Sequence, residues 1–181
     1  MIKKPYPPGF RGKRKRRRTA SEYAKQLREK QKLKNWYNLK EYQLKSYVKG
    51  VLEKRGRAGD TKDLLIGKLE KRLDNVVFRL GLAPSRLQAR QLVGHGHFLV
   101  DGKKVNIPSY QVKKGERVKI APSSQKKIIF QSLPLVLKKH QPPSWLKLDI
   151  KKLEGEVTGQ PSFEEVTPPA EVSAIFEYYS R

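Results

Sequence analysis

Four arginines in the middle of the chain are spaced so that they could contact the phosphates of a nucleic acid. Arg86 and Arg90 are four residues apart, so a helix would place them on one face with Gln91 beside them. A guanidinium can donate two parallel hydrogen bonds to a phosphate, which suits arginines fixed on a helix to follow an RNA backbone. The predicted RNA-binding residues of this region form one exposed edge: Arg72, Arg79, Arg86, Arg90, Gln91, His95, Lys103 and Lys104.

Basic residues are also concentrated near the N-terminus. Residues 11–18 hold seven basic residues in eight positions, namely Arg11, Lys13, Arg14, Lys15, Arg16, Arg17 and Arg18. The prolines and glycines before them oppose helix, so residues 1–18 are predicted to be an extended arm that orders against phosphate. The alternatives for this run are a nuclear-localisation patch or an idle tail. A basic turn with Arg55 and Arg57 adds two further RNA-binding candidates.

The total charge supports a polyanionic partner. The 181 residues include 41 Lys+Arg and 17 Asp+Glu, which gives a formal net charge of +24. Residues 1–60 carry a net +15, residues 61–120 a net +8 and residues 121–181 only +1. Such a positive charge favours binding to a nucleic acid, because phosphates that bind lysine or arginine release their condensed counterions. An unpartnered basic surface or an anionic membrane would explain the total less well, and the RNA contacts are expected in the first two thirds.

Metal and cofactor chemistry is not expected. The sequence has no cysteine, which excludes disulfides, cysteine-ligated zinc and a thiol nucleophile. His95, His97 and His140 are not clustered with carboxylates, so His95 and His97 are predicted to be RNA or loop contacts instead. No apolar run approaches the ~20 residues of a membrane span. We therefore expect no cofactor, no small-molecule substrate and no membrane partner.

The elements that must position the central edge are predicted from apolar spacing and turn residues. Asp60 or Thr61 is predicted to cap a short helix that ends at Leu69. The spacing of Leu69, Leu73, Val76, Val77 and Leu80 then predicts a helix that ends at Gly81. Ser85 with Gln88 predicts the start of the next helix. The Asp101-Gly102 pair predicts a tight hairpin, and residues 117–120 alternate as a strand does. This order predicts a compact unit of two helices and an antiparallel hairpin or sheet.

Further elements flank that unit on both sides. Thr19 with Glu22 predicts the start of a first helix, and apolar spacing over residues 44–52 predicts a second. A helix is predicted over residues 126–140 with a possible break at Pro134, followed by strand and turn over residues 145–157. Pro168-Pro169 precedes a final helix. The predicted fold class is therefore α+β.

The sequence resembles a known family. Arg72-Leu-Asp-Asn-Val-Val-Phe-Arg-Leu-Gly81, Ser85-Arg86, Ala89-Arg-Gln-Leu-Val93, Val100-Asp-Gly-Lys103 and Pro108-Ser-Tyr110 look like the RNA-binding module named after small-subunit ribosomal protein S-four. Beyond the module, Tyr6-Pro-Pro-Gly9, Pro143-Ser-Trp-Leu146 and the ending Glu177-Tyr-Tyr-Ser-Arg181 resemble the ribosomal protein family itself. The resemblance covers nearly the whole chain.

The resemblance implies an architecture and a function. It implies a helical domain over residues 19–69 that is completed by residues 158–181, and an inserted α/β RNA-binding domain over residues 70–157 with its core at about 72–120. It implies a structural component of the small subunit that binds small-subunit ribosomal RNA early in assembly. It also implies contact with ribosomal protein S-five and a part in translational accuracy. The expected location is on the ribosome in the cytoplasm, with an organellar ribosome left open.

Two rivals share the same module. A pseudouridine synthase would use an aspartate in an Arg-Leu-Asp setting, as in Arg72-Leu73-Asp74. Asp74 lies inside a periodic helix, however, and is predicted to pair with a neighbouring basic residue. The 61 residues after Ile120 are also too few for a catalytic domain. A stand-alone RNA chaperone would lack the matching first helices and C-terminus. Many family members carry a four-cysteine zinc site, which this sequence has no cysteines to form. We therefore predict a binding protein that is not an enzyme.

Overall fold

The computed structural model describes residues 21–53 and 60–180. Its helices are α1 (Glu22–Trp36), α2 (Glu41–Leu52), α3 (Thr61–Glu70), α4 (Leu73–Arg79), α5 (Arg86–Gly94), α6 (Pro122–Gln125), α7 (Ile128–Gln131), α8 (Leu133–Leu137), α9 (Phe163–Val166) and α10 (Val172–Tyr179). Its strands are β1 (Phe98–Val100), β2 (Lys103–Lys104), β3 (Arg117–Ile120), β4 (Leu146–Asp149) and β5 (Glu154–Val157). The predicted α+β class is confirmed.

The strands lie in one sheet. Within the described residues it has five strands, all antiparallel, in the order β2-β1-β3-β5-β4. The predicted hairpin is present between β1 and β2. Asp101 and Gly102 have φ angles of 46° and 78°, the left-handed values that a type I′ turn requires at both central positions. The conformation of the β1–β2 hairpin therefore follows from its two turn residues.

One hydrophobic cluster joins the beginning of the chain to its end. It is formed by buried side chains of α1, α2, α3, α9 and α10, among them Leu33, Val48, Leu69 and Ile175. The last helix, α10, packs along α1, and the side-chain amide of Gln26 donates to the carboxylate of Glu177 at 2.9 Å. The C-terminal residues thus complete the packing of the first three helices.

A second hydrophobic cluster lies between α4, α5, the sheet and the short helices α7 and α8. Leu80, Phe98, Val118 and Trp145 are among its buried members. Gly155 of β5 lies directly against Leu80, so close that the side chain of any other residue would meet the Leu80 methyl groups. The helices and the sheet therefore share one tightly packed core.

The two helices predicted on either side of Leu69 are present, but the second begins later than predicted. α3 ends at Glu70, and Arg72 is the N-cap residue of α4 with extended backbone angles of φ −63° and ψ 137°. The backbone of Arg72 forms a β-bridge with Gln111. This pairing with a distant segment sets the start of α4 at Leu73, and apolar spacing alone does not reveal such a pairing.

The helix predicted over residues 126–140 is divided. The chain forms α7 and α8 in its place, and the break between them falls at Ser132, which ends α7 and begins α8. Pro134 was the predicted break. It lies in the first turn of α8, where a helix does not need the missing N–H. The separate helix α9 was not predicted.

Helix caps follow the predictions in part. The hydroxyl of Ser85 accepts a hydrogen bond from the amide of Gln88 at 3.2 Å, as predicted. The side chain of Asp60 caps α3. The cap of α1 is Ser21, while the predicted cap Thr19 lies outside the described residues.

The acidic residues near the C-terminal end have a structural partner. Ser162 caps α9, and the Glu165 carboxylate accepts hydrogen bonds from the Ser144 amide at 2.6 Å and from its hydroxyl at 3.1 Å. The acidic first turn of α9 thereby ties this helix to the loop before β4. In the part of the chain that the structure describes, no helix is long and apolar enough to cross a membrane.

Candidate nucleic-acid interface

Glu70, the last residue of α3, binds three side chains at once. Its carboxylate accepts hydrogen bonds from the Tyr37 hydroxyl at 2.7 Å and from the Asn75 amide at 2.6 Å. The guanidinium of Arg79 donates to both carboxylate oxygens at 2.9 Å. Glu70 is fully buried, at 0% exposure. Burial, and then the neighbouring carboxylate, raise the pKa of Tyr37 well above its usual value, so Tyr37 remains a donor.

Asp74, in the first turn of α4, holds two more arginines. Arg72 donates to both of its oxygens, at 3.0 Å and 2.7 Å, and Arg90 donates from Nε at 3.1 Å. Arg72 also reaches the Tyr47 hydroxyl of α2 at 2.9 Å, and Arg90 donates to the carbonyl of Asn38. Burial alone would lower the pKa of Arg72, but the bonds to Asp74 outweigh it and the pKa is raised. Both arginines are therefore charged partners of a buried carboxylate.

Arg86 is held mainly by aromatic rings. Its guanidinium carbon lies 4.3 Å from the ring centre of Trp36 and 4.5 Å from that of Phe78, and Nε donates to the Asn75 side-chain oxygen at 2.8 Å. Burial lowers the pKa of Arg86 below its usual value. The cation is stabilised by the electron-rich ring faces, an arrangement in which lysine would be a poor substitute.

These contacts form one cluster, which we call the carboxylate network: Glu70, Asp74, Tyr37, Tyr47, Asn75, Arg72, Arg79, Arg86 and Arg90. The network lies where α1, α2 and α3 meet α4 and α5. It corrects the prediction that the four arginines lie on an exposed edge. Arg72 is 1% exposed, and the side chains of Arg79 and Arg90 are 22% and 24% exposed. Their spacing was visible in the sequence, but their pairing with Glu70 and Asp74 depends on tertiary contacts.

The remaining predicted residues of the edge are on the surface. Gln91, His95, Lys103 and Lys104 are exposed and make no ion pair with any described residue. The side chain of Lys104 lies over Gly96, whose φ of 70° and lack of a side chain allow this close approach. The hairpin and the end of α5 thus present their polar side chains together.

His97 is not on this surface, contrary to the prediction that it contacts RNA or a loop freely. It is 8% exposed, its Nδ1 lies 2.8 Å from the Ser124 hydroxyl, and its ring packs edge-on to Phe130. Burial, followed by the positive charges of Lys127, His95 and Lys104, lowers the pKa of His97. Lys127 acts on His97 although it belongs to a segment beyond the predicted core at 72–120.

We call the exposed group Gln91, His95, Lys103 and Lys104 the hairpin surface. Lys127 was not among the predicted residues, although its charge acts on His97, which is thirty positions earlier in the chain. The Lys126-Lys127 pair was the available signal. The predicted contacts at Arg11, Lys13, Arg14, Lys15, Arg16, Arg17, Arg18, Arg55 and Arg57 lie outside the described residues. Over residues 21–53 and 60–180, no group of three or more histidine or acidic side chains could hold a metal ion.

Comparison with known proteins accounts for both parts of the chain. A family model described as the Ribosomal protein S4/S9 N-terminal domain matches residues 1–70, and one described as the S4 domain matches residues 71–118. Small ribosomal subunit protein uS4 of Roseiflexus castenholzii is 45% identical over 184 residues, covering 100% of this chain and 87% of its own. The chain belongs to the uS4 family. The family member of Thermus thermophilus is 42% identical over 182 residues, covering 100% of this chain and 85% of its own.

The uS4 family membership confirms the resemblance inferred from the sequence. The carboxylate network joins the two regions that the uS4 family models match. Glu70 is the last residue of the first region, and its partners Asn75 and Arg79 lie in the second. The enzyme alternative is not favoured, since the family is one of ribosomal proteins. Asp74, its proposed catalytic residue, is 4% exposed and bound by two arginines.

Proposed function

We propose that this protein is a structural component of the small ribosomal subunit that binds small-subunit ribosomal RNA directly. The observation that carries the proposal is the match of the whole chain to proteins named small ribosomal subunit protein uS4. A net charge of +24 supports an RNA partner, because a structural protein with this self-repulsion is stabilised by phosphates.

We further propose a division of labour among the basic residues. The hairpin surface and the basic residues of the N-terminal arm would contact RNA, because the former are exposed and form no ion pair with any described residue, and the latter are dense in charge. Arg72, Arg79, Arg86 and Arg90 would act mainly by fixing the orientation of α4 and α5 against α1–α3. A fixed orientation lowers the entropy that the protein loses when surfaces on both sets of helices bind the same RNA.

The domain division that fits these contacts is the one implied by the resemblance. Residues 19–69 and 158–181 would form the helical domain, residues 70–157 the inserted domain and residues 1–18 the arm. The two hydrophobic clusters support this division, since their members fall on either side of Glu70 and Val157. Contact with ribosomal protein S-five, a part in early assembly and in accuracy, and a cytoplasmic location belong to the same proposal.

The ribosomal assignment is tested by sedimentation of a cell lysate through a sucrose gradient at high salt. We expect the protein to remain in the small-subunit fraction, because a structural component makes many phosphate contacts that do not dissociate together. A known small-subunit protein in the same gradient serves as the control. Recovery of the protein only in free or large-subunit fractions would contradict the assignment and favour a stand-alone RNA chaperone.

The RNA-binding surface is tested by replacing Lys103 and Lys104 together with glutamine. We expect weaker binding to small-subunit ribosomal RNA and a salt-dependence slope that is lower by up to about 0.9 for each lost phosphate contact. The thermal unfolding midpoint should change little, because both side chains are exposed. Binding is measured by filter retention at several salt concentrations.

The matched control replaces Lys151 and Lys152, also adjacent and exposed, in the turn between β4 and β5. Both double variants lose the same charge, so a difference between them reports position and not net charge. Equal slopes for the two variants would show that the hairpin surface has no specific role.

A further inference from the structure

Apolar side chains are exposed along one side of α7 and α8. Ile128, Ile129, Leu135 and Val136 are 83%, 50%, 69% and 54% exposed. Nine large hydrophobic residues are exposed among the described residues, and four of them lie within this nine-residue stretch. Such clustering on a protein surface is typical of an interaction site, whereas single exposed apolar residues are ordinary.

Most of these side chains line a groove of about 610 Å³. One wall consists of residues 128, 129, 132, 133 and 136, which belong to α7, to α8 and to the Ser132 junction between them. The opposite wall is the connection between α4 and α5, including Leu82, Ala83 and Pro84. Leu135 is exposed but lies outside the groove. The groove is therefore a shaped apolar surface and not only a patch.

The floor of the groove is fixed by His140. Its Nε2 lies 2.7 Å from the carbonyl oxygen of Arg79, and its ring packs over Gly81, which has a φ of 75°. No other residue at position 81 would leave room for that ring. The two walls are thus held together, so the groove is present before any partner binds.

The charges around the groove indicate the partner. Lysine pairs precede and follow the apolar stretch, at residues 126–127 and 138–139, and all four are exposed without an ion pair to any described residue. The Glu165 carboxylate, which acts on Arg79 beside the groove, is already bonded to Ser144. The α7–α8 wall of the groove is therefore bordered by basic residues at both of its ends along the chain, and a partner that contacts those ends is complemented by acidic residues.

We propose that this groove docks an acidic amphipathic helix of a neighbouring protein. Apolar side chains spaced three or four residues apart would enter between the two walls, as in other helix-in-groove complexes. Acidic residues on the flanks would face the lysine pairs. RNA fits the lysines but gains little from aliphatic walls, since bases bind by stacking on aromatic or guanidinium planes. The apolar lining therefore favours a protein partner.

The test uses the full-length protein and a fluorescent helical peptide of about 18 residues, with leucine at every third or fourth position and glutamate on the other face. Binding is measured by anisotropy at elevated salt, which suppresses non-specific attraction to a basic protein. We expect Ile128→Gln and Val136→Gln each to weaken binding about tenfold, because each buries an aliphatic side chain on binding. Lys138→Gln with Lys139→Gln should lower the salt dependence.

Leu135→Gln is the matched control, since it changes an equally exposed aliphatic residue outside the groove. It should bind the peptide within about twofold of the unchanged protein. A peptide with serine in place of leucine should bind much more weakly. The proposal is overturned if both peptides bind alike, if Leu135→Gln weakens binding as much as the groove variants, or if ribosomal RNA displaces the peptide and loses affinity for the Ile128→Gln protein. Equal thermal midpoints show that the variants remain folded.

Discussion

Replacing Glu70 with alanine is expected to lower the free energy of unfolding by about 3–5 kcal/mol, the range found when one partner of a buried ion pair is removed. The carboxylate is fully buried and accepts bonds from Tyr37, Asn75 and Arg79. Without it, the Arg79 cation and two polar groups lose their partner in a site that is largely closed to water. Urea unfolding followed by tryptophan fluorescence and circular dichroism measures the loss.

The two tryptophans make the experiment more informative. Trp36 contacts the guanidinium of Arg86 in the carboxylate network, while Trp145 is buried in the cluster beneath the sheet. Removing either residue by substitution with phenylalanine allows each site to be followed separately. We expect the Trp36 signal to change at lower urea than the Trp145 signal in the Glu70→Ala protein, because the network is disrupted first.

Glu53→Ala is the control for this substitution. Its side chain is 64% exposed and lies 4.0 Å from the Lys49 amine, a geometry that contributes at most about 1 kcal/mol. It removes the same charge as Glu70→Ala. If both variants lost the same small amount of stability, the network would be no more than a surface arrangement, and its role in orienting α4 and α5 would fail.

The second large effect is expected for Gly155→Ala. A Cβ at this position would overlap both methyl groups of Leu80, which is 0% exposed. The backbone cannot move away easily, because Gly155 pairs with Val118 on one side and Leu148 on the other. Overfilling a packed core in this way typically costs about 1–3 kcal/mol, and we expect a loss at the upper end of that range by thermal unfolding.

Gly94→Ala provides the comparison, because it adds the same methyl group at a helical position with open space around it. It should leave stability unchanged or raise it by up to about 1 kcal/mol. Leu80→Ala combined with Gly155→Ala should be less destabilising than the sum of the two changes, because the new methyl group would enter the space that Leu80 leaves. Strict additivity would show that Leu80 and Gly155 do not compete for space.

Local signals explain the parts of the fold that the sequence predicted. The left-handed turn at Asp101-Gly102, the cap at Ser85 and the alternation in residues 117–120 each depend on a few neighbouring residues. The start of α4 at Leu73, four residues later than predicted, could not be found in this way. It depends on the bridge of Arg72 to Gln111, which is a contact between residues far apart in sequence.

The candidate site likewise depends on contacts between residues far apart in sequence, which local patterns do not predict. Helical spacing identified the arginines as a group, but it could not show that two buried carboxylates bind them. Asp74 was expected to pair with a neighbouring basic residue, and its bonds to Arg72, two positions away, confirm that prediction. Its second partner, Arg90, is sixteen positions away and was not predicted. The RNA-binding role of the exposed residues stays a prediction.

The packing of α10 against α1 has a consequence for synthesis. Glu29 accepts a hydrogen bond from the amide of Glu171, and Gln26 binds Glu177, so these contacts join residues 142 and 151 positions apart. Residues 73–157, which supply the second cluster, are contiguous and can fold as soon as they have left the translating ribosome. The first three helices are made earlier, but the contacts of α1 with α10 form only once α10 has been made. We therefore expect the packing of the second cluster to be complete before that of the first.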